Sequence, residues 1–530
     1  MKSSCIDYQE TGSFSPVITD YLEQDPKLAP FYNFAPTITG FQQLIEQRKT
    51  NKIAVNRDLL VQVLKEQYLN NPASVQVNQN IELLSKENTY TITTGHQLNI
   101  FTGPLYFIFK IVTSINLAND LKKALPDYNF VPVYWMATED HDFAEINHTY
   151  VDGRKLSWDM PATGATGRLN TESIAQVVKE YQNILGASDN AEKLSKIIGQ
   201  AYNDHPLLAD ATRYLANALF EKYGLVILDA DNKQLKQSFA AVIEQDIIGQ
   251  NSFREINKSS EKLEKAGYKT GVNAREINFF YLDEGLRERI IYKDGKYNIL
   301  NTSLSFSEEE LRKEIHSNPE KFSPNVILRP LYQEMILPNL AYIGGGSEIA
   351  YWLQLKENFD FYNVSFPILI LRNSALIADE TIEAKLLKSD LTFKDIFKDL
   401  EILKKEWVMS HSEHDLTLNN EWKELQATFE KIKERSSKID PTLAPSAEAV
   451  SARLHKVLLS LEKKLVRAEK RNYSTALSQI EGIKTKLFPG GSLQERKENF
   501  GLFYVTYGDE FIPELMKHFK PLDFKFTILY

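Results

Sequence analysis

The densest run of reactive side chains is ATEDHDFAEINH, residues 137–148, which gathers Glu139, Asp140, His141, Asp142, Glu145 and His148. Carboxylates interleaved with imidazoles can orient an amine, or take a proton from one. Asp140 and Asp142 also suit the N-cap of a helix. Glu145 and His148 stand three apart and are expected on one helix face. One Glu-x-x-His is too few ligands for a metal, so none is expected. The catalytic expectation falls on Asp140, His141 and Asp142, with Glu139 and Asn147 binding substrate.

A second segment, TTGHQLNIFTGPLYFIFK, covers residues 93–110. Gly95 and Gly103 allow close backbone approach. His96 can donate to a phosphate or act in acid–base chemistry. Thr94, Gln97, Asn99 and Thr102 add hydrogen bonds, and Tyr106 opens an apolar helix whose N-terminus favours anions. A third segment, LRPLYQEMILPNLAYIGGGSEIAYW (328–352), sets Gly344, Gly345 and Gly346 before Ser347 and Glu348, a nest for phosphate or carboxylate. No Gly-Lys-Ser/Thr follows, and Ile349 stands where a dinucleotide fingerprint needs glycine. Arg329 suits a bidentate carboxylate contact or a structural ion pair. In FPGGSLQERKENF (488–500), Gly490 and Gly491 read as a helix end and Ser492–Glu495 as a capping box. Arg496 is an additional ligand candidate.

These segments need a frame that brings them together. TYTITTG (89–95), VPVYWMA (131–137), LVILDA (225–230), AYIGGG (341–346) and FPILILRNS (366–374) read as strands buried on both faces. Helical stretches such as ATRYLANALFEKYG (211–224) separate them, so a parallel α/β sheet is expected. Ligands bind at the carboxyl ends of such strands, where three of the four segments lie. LYFIFKIVTSINLA (105–118) falls short of the roughly 20 residues that span a bilayer and carries Lys110, so it reads as a buried helix. Residues 1–90 look mostly helical, with breaks at Pro26, Pro30 and Pro36. The sheet core is expected over 1–390, with insertions at 152–210 and 245–328. The second insertion carries a hairpin signal in IIYKDGKYNIL.

Residues 391–488 form an expected helical arm. Leu418, Trp422, Leu425, Phe429 and Ile432 follow a heptad. Pro441 and Pro445 interrupt it. The pattern resumes at Leu454, Leu458, Leu461 and Leu465, and slips once near Asn472. Two such helices joined by a turn make an antiparallel coiled coil. Residues 489–530 return to short apolar runs, FGLFYVTYG and FKFTILY, the last a strand docked on the core.

Across its 530 residues the formal net charge is −9, which argues against general nucleic-acid binding. The chain is 43% hydrophobic and 25% charged, an ordinary soluble composition. Cys5 is the one cysteine, so no intrachain disulfide forms and a reducing compartment fits. MKSSCIDYQETGSFSP lacks a signal-peptide apolar region, so a cytoplasmic location without membrane insertion is expected.

TGHQLNIFTGPLYFIFK resembles the T-G-Q-Q-x-x-x-x-T-G-P-L-Y-x-x-x-K pattern of the bacillithiol biosynthesis cysteine-adding enzymes. VPVYWMATEDHDFAEINH resembles that family's P-V-x-W-x-A-x-E-D-H-D-x-x-E-I-N. SPNVILRPLYQEMILPNLAYIGGGSEIAYW, LEKKLVRAEKR and FPGGSLQER resemble further family segments in the same order, across about residues 90–500. The resemblance implies a Rossmann-like core, connecting insertions and a coiled-coil arm that makes a homodimer. It implies a ligase that joins cysteine to the amine of glucosaminyl malate, with ATP as energy source and no metal beyond the nucleotide's magnesium. The core is similar to class I aminoacyl-tRNA synthetases, which carry H-x-G-H and K-M-S-K-S. Here that window is Thr93-Thr94-Gly95-His96 and no K-M-S-K-S string occurs, so adenylation and phosphorylation both stay open. A non-catalytic nucleotide-binding scaffold, or an amide ligase for another amine, are the alternatives.

Overall fold

The computed structural model describes residues 1–50, 55–69, 71 and 73–530. The chain divides into two compact units. One comprises Met1–Gln9, Ser13–Leu376 and Ser492–Leu529; the other comprises Glu10–Gly12, Ile377–Gly491 and Tyr530.

The larger unit is built on a parallel sheet of β1 (Thr89–His96), β2 (Asn129–Met136), β3 (Val226–Asp229), β4 (Asn339–Gly344) and β5 (Ile368–Leu371). Their spatial order is β5-β4-β1-β2-β3, and every pairing is parallel. This is a Rossmann-like order, and it reverses direction between β1 and β4, where a crevice opens. All eight residues of β1 are buried, as expected of an apolar run covered on both faces. Its threonines do not break that rule. The hydroxyls of Thr91 and Thr93 donate to Asn339 Oδ1 on β4, at 3.0 and 2.8 Å.

Helix α1 (Tyr106–Ala124) covers β1 and β2. Its Leu117 and Leu121 join Ile92, Ile343 and Ile370 in one core cluster. Each such buried side chain contributes roughly 1.5–3 kcal/mol. Helices α2 (Arg329–Ile336) and α3 (Gly346–Leu353) flank β4. Within the 245–328 stretch, Phe279–Asp283, Leu286–Lys293 and Lys296–Ile299 pair as an antiparallel meander. Its second turn is Asp294-Gly295, both at positive φ (54° and 76°), which the sequence DG favours. The strand Lys525–Leu529 pairs antiparallel with Ser3–Asp7, whereas FGLFYVTYG forms the helix Gly501–Tyr507.

The smaller unit holds α4 (Leu400–His411), α5 (Asn419–Ile439), α6 (Ala444–Asn472) and α7 (Ser474–Leu487). α5 and α6 pack as a hairpin through the short turn Pro441–Leu443. Trp422 stacks on His455 across it, with ring centroids 4.2 Å apart. The heptad slip falls where the helix breaks, at Tyr473 (φ −101°, ψ 19°). Among the described residues, no helix is long and apolar enough to cross a membrane.

Candidate active site

A cavity of about 640 Å³ opens at the carboxyl ends of β1, β2 and β4. At its base, Lys110 of α1 donates to the Gly95 carbonyl at 2.9 Å and pairs with Glu348 of α3 at 2.5 Å. Glu348 also accepts from the Tyr342 hydroxyl (2.7 Å) and from the Gly345 N–H (2.8 Å). Burial opposes the charge of both Lys110 and Glu348. It pulls the Lys110 pKa down, while Lys110 and the Gly345 N–H hold the Glu348 carboxyl below its usual value. The glycine nest therefore already contains a carboxylate: Glu348 uses the Gly345 N–H that an outside anion was expected to take.

His96 ends β1 with its ring against Tyr106 and Phe107, at centroid distances of 5.4 and 5.2 Å. Burial, then the Lys110 charge, lowers its pKa to about 3, so it is neutral near pH 7. His96 Nε2, Arg329 Nη2 and Arg372 Nε are all buried without a hydrogen-bond partner, and all three residues line the cavity. Leaving such a group unmet costs about 1–3 kcal/mol, so a polar occupant suits the site. Arg329 is held by Gln333 (2.9 Å) and lies over Trp135 and Tyr342. Arg372 is held by Glu495 (2.7 Å) and lies over Tyr106.

The opposite wall is the loop after β2. Asp140 Oδ2 accepts from Gln97 Nε2 at 2.6 Å, and Oδ1 accepts from the His141 N–H at 2.7 Å. Arg287 Nη1 lies 4.0 Å from Asp140 and donates to His141 Nδ1 at 2.7 Å. A neutral His141 then carries its proton on Nε2. Burial works against ionisation of Asp140, but His141, Gln97 and Arg287 outweigh it and hold the carboxyl well below the usual range. Glu139 pairs with the fully buried Lys236; burial pushes its carboxyl up and Lys236 opposes this. The loop is backed by Gly167, whose N–H donates to the Thr138 carbonyl at 2.9 Å. A Cβ on Gly167 would fall 2.7 Å from Thr138 Cβ, so only glycine fits there.

Of the residues singled out by the sequence, Asp140, His141, His96, Gly95, Gln97, Tyr106, Glu139, Arg329, Gly345, Gly346, Ser347, Glu348 and Arg496 line the cavity. Thr94, Asn99, Thr102, Gly103, Asp142, Asn147 and Gly344 do not, and all of these but Asp142 serve the frame instead. Thr94 donates to the Ile343 carbonyl, tying β1 to β4. The turn at Phe101–Gly103 has three positive φ values, and Asn499 locks it by donating to the Phe101 and Gly103 carbonyls. It is an interior turn rather than an anion cradle. Gly344 leaves room for Glu348 and Tyr342, which a Cβ would meet at 3.0 and 3.2 Å. Asp142 is exposed and its side chain caps nothing. Glu145 and His148 do not share a helix face: the helix lasts one turn, Phe143–Ile146, and His148 begins a strand. Asn147 pairs with the His148 ring. Nor is Ser492–Glu495 a capping box, because Glu495 is buried against Arg372 and the Ala375 N–H.

Lys110, Arg372, Arg287 and Arg275 also line the cavity, although no sequence motif marks them as ligands. Lys110 is the one cation in the apolar run 105–118, and Arg372 directly follows β5, so both had a signal. Arg275 and Arg287 lie in the charged insertion and had none. Among the described residues, six cationic side chains line the cavity, with Lys110, Arg275, Arg287, Arg329, Arg372 and Arg496 facing the carboxylates Glu139, Asp140 and Glu348.

Fold and site together define an α/β protein of the Rossmann type, with a cation-lined cavity at its switch point and a separate coiled coil. Residues 1–373 match the family model described as bacillithiol biosynthesis BshC, N-terminal Rossmann-like domain. Residues 375–530 match its C-terminal coiled-coil domain. Proteins named "Putative cysteine ligase BshC" are similar along the whole length. The one from Flavobacterium psychrophilum is 48% identical, covering 100% of this chain and 99% of its own. The one from Flavobacterium johnsoniae is 46% identical, covering 100% of both. The one from Christiangramia forsetii is 42% identical, covering 100% of this chain and 99% of its own. The chain belongs to the bacillithiol biosynthesis BshC family and is an enzyme of the ligase class.

Proposed function

We propose that the chain joins the carboxyl group of cysteine to the amine of glucosaminyl malate, with ATP as the source of activation. The observation that carries this reading is that an ionised Asp140 and two buried guanidinium groups, Arg329 and Arg372, each with one nitrogen still without a hydrogen-bond partner, line one cavity. Amide formation from a free carboxylate needs activation, and bound ATP supplies the phosphoryl or adenylyl group for it. His96, Arg329 and Arg372 suit an anionic occupant, since each offers a buried polar atom with nothing yet to bind. Asp140 suits an ammonium or amine, which it can orient through Oδ1 and Oδ2. Its depressed pKa makes it a better orienting group than a proton acceptor, since a general base works best with a pKa near the working pH. A scaffold would have no need to hold so many charged groups at a sheet end.

We also infer that the arm self-associates. Val450 and Val457 are about half exposed on α6 and run beside the seam that meets α5, and Leu461, expected in that seam, is exposed to a similar degree. A location in the cytoplasm fits a thiol-forming pathway.

The purified chain is to be assayed with cysteine, glucosaminyl malate and ATP, reading bacillithiol by mass and the nucleotide product by chromatography. AMP marks adenylation and ADP marks phosphorylation. No bacillithiol and no nucleotide cleavage from a folded sample would sink the reading. Asp140→Asn is expected to lower kcat/KM by about a hundredfold, on the scale of lost general acid–base or orienting groups, with the fold unchanged by circular dichroism.

A further inference from the structure

Asn273 and Arg275 reach the cavity from an irregular strap, residues 269–276, between the buried Tyr268 and Ile277. The strap is exposed or half-buried along its length. Two side chains anchor its backbone. Asn278 brackets Arg275, accepting from its N–H at 3.1 Å and donating to its carbonyl at 2.7 Å. Gln354 holds the other end. Its Oε1 accepts from the N–H groups of Gly271 (2.7 Å) and Val272 (3.0 Å), and its Nε2 donates to the Val272 carbonyl (3.0 Å) and Ser260 Oγ (2.9 Å).

Gln354 is fully buried and caps the C-terminus of α3. The same helix presents Gly346, Ser347, Glu348 and Tyr351 to the cavity. A Cβ on Gly271 would meet Tyr351 Cβ at 3.4 Å, so the strap lies directly on the flank of α3. Arg275 is a cation held where a second cation, Arg289, already stands: burial and then the Arg275 charge lower the Arg289 pKa. Two like charges gain nothing from each other. Arg275, which lines the cavity, therefore suits an anionic occupant, and the strap holds it there.

We propose that Gln354 is a positioning residue that sets the reach of Arg275 over the cavity and thereby the affinity for the carboxylate end of the acceptor. This rests on the proposed function for the identity of that acceptor. The probe is malate, a dicarboxylate, titrated into the full-length protein by calorimetry, with amide hydrogen exchange followed over 269–276. In Gln354→Leu, exchange in the strap rises and malate affinity falls about tenfold, while on an Arg275→Ala background the same substitution costs less than about threefold. Gln354→Glu keeps the acceptor for the Gly271 and Val272 N–H groups but loses the donor to the Val272 carbonyl, and recovers part of the affinity lost in Gln354→Leu. Gln354→Met, closer in shape, replaces the leucine variant if exchange shows global unfolding. Unchanged malate affinity in a folded variant, an equal loss with and without Arg275, or no malate binding by the wild type would each overturn the proposal. Bacillithiol formation is assayed separately. A chain that binds malate in this pattern but forms no bacillithiol loses the proposed function and keeps the clamp.

Discussion

His96 stands at the end of β1 with its ring against Tyr106 and Phe107, and burial holds its pKa at about 3. An unfolded histidine titrates near 6.5. Between these values the unfolded chain binds a proton that the folded chain refuses. Stability is therefore fully present above about pH 6.5 and is lost as pH falls, by roughly 1.4 kcal/mol per unit down to the folded pKa. His96→Gln removes this term. Urea midpoints of the two proteins, matched at pH 7, should diverge below pH 6 in favour of the variant; parallel curves would show that His96 is not held neutral. Near neutral pH the variant should keep kcat/KM within about threefold, because a histidine with so low a pKa is a poor base and the glutamine amide can still donate to the occupant in place of the imidazole. The residue scale also shows what the sequence could carry. Asp140 was legible because DHD follows an apolar strand. Arg287, which meets both Asp140 and His141, was not, because 146 residues separate it from His141 and its neighbours read as a solvated face.

Among elements, α2 joins the cavity to the sheet through a buried polar chain. Arg329 donates to Gln333, Gln333 to Glu334, and Asn339 of β4 also donates to Glu334, at 2.9, 2.9 and 2.6 Å. Arg48, from the helix Ile38–Thr50, completes it with a 3.1 Å pair to Glu334. The Glu334 side chain is fully buried and that of Arg48 is 10% exposed. Removing one partner strands the other, so Glu334→Leu or Arg48→Met should each cost about 3–5 kcal/mol in urea unfolding. The double substitution leaves no orphan charge and should cost less than the sum, by 1 kcal/mol or more, on the scale of coupled buried pairs. Full additivity would mean that the pair contributes nothing as a pair. The five sheet strands were legible because parallel strands read as continuous apolar runs, and the Asp294-Gly295 turn because few residues accept two positive φ values. The short elements were not. One turn of helix after Asp142 leaves no periodicity to read, and the capping-box pattern at Ser492 lost to burial of Glu495 against Arg372.

For the whole molecule, the strand order β5-β4-β1-β2-β3 is set by which strands pair across long crossovers, and no local pattern encodes it. That order is what sets the β1 and β4 segments side by side, some 250 residues apart in the chain, at one switch point. Heptads by contrast are local, so the arm and its slip at Asn472 could be read directly. What the heptad did not reveal is the second stripe. Val450, Val457 and Leu461 are spaced seven and four, and remain 50%, 60% and 46% exposed although α5 packs against the same helix; Leu461 was expected in the seam and lies outside it. Ile439, at the hairpin end, is 78% exposed. A single antiparallel partner thus covers only part of the apolar arc of α6. If a second copy covers the rest, Val450→Asp with Val457→Asp should convert a dimer to a monomer by light scattering. The folded chain itself should lose little, about 0.5 kcal/mol or less per site, because both positions are half exposed in the isolated chain. A wild type that runs as a monomer at micromolar concentration, or a double variant that stays dimeric, would remove the arm as the self-association surface.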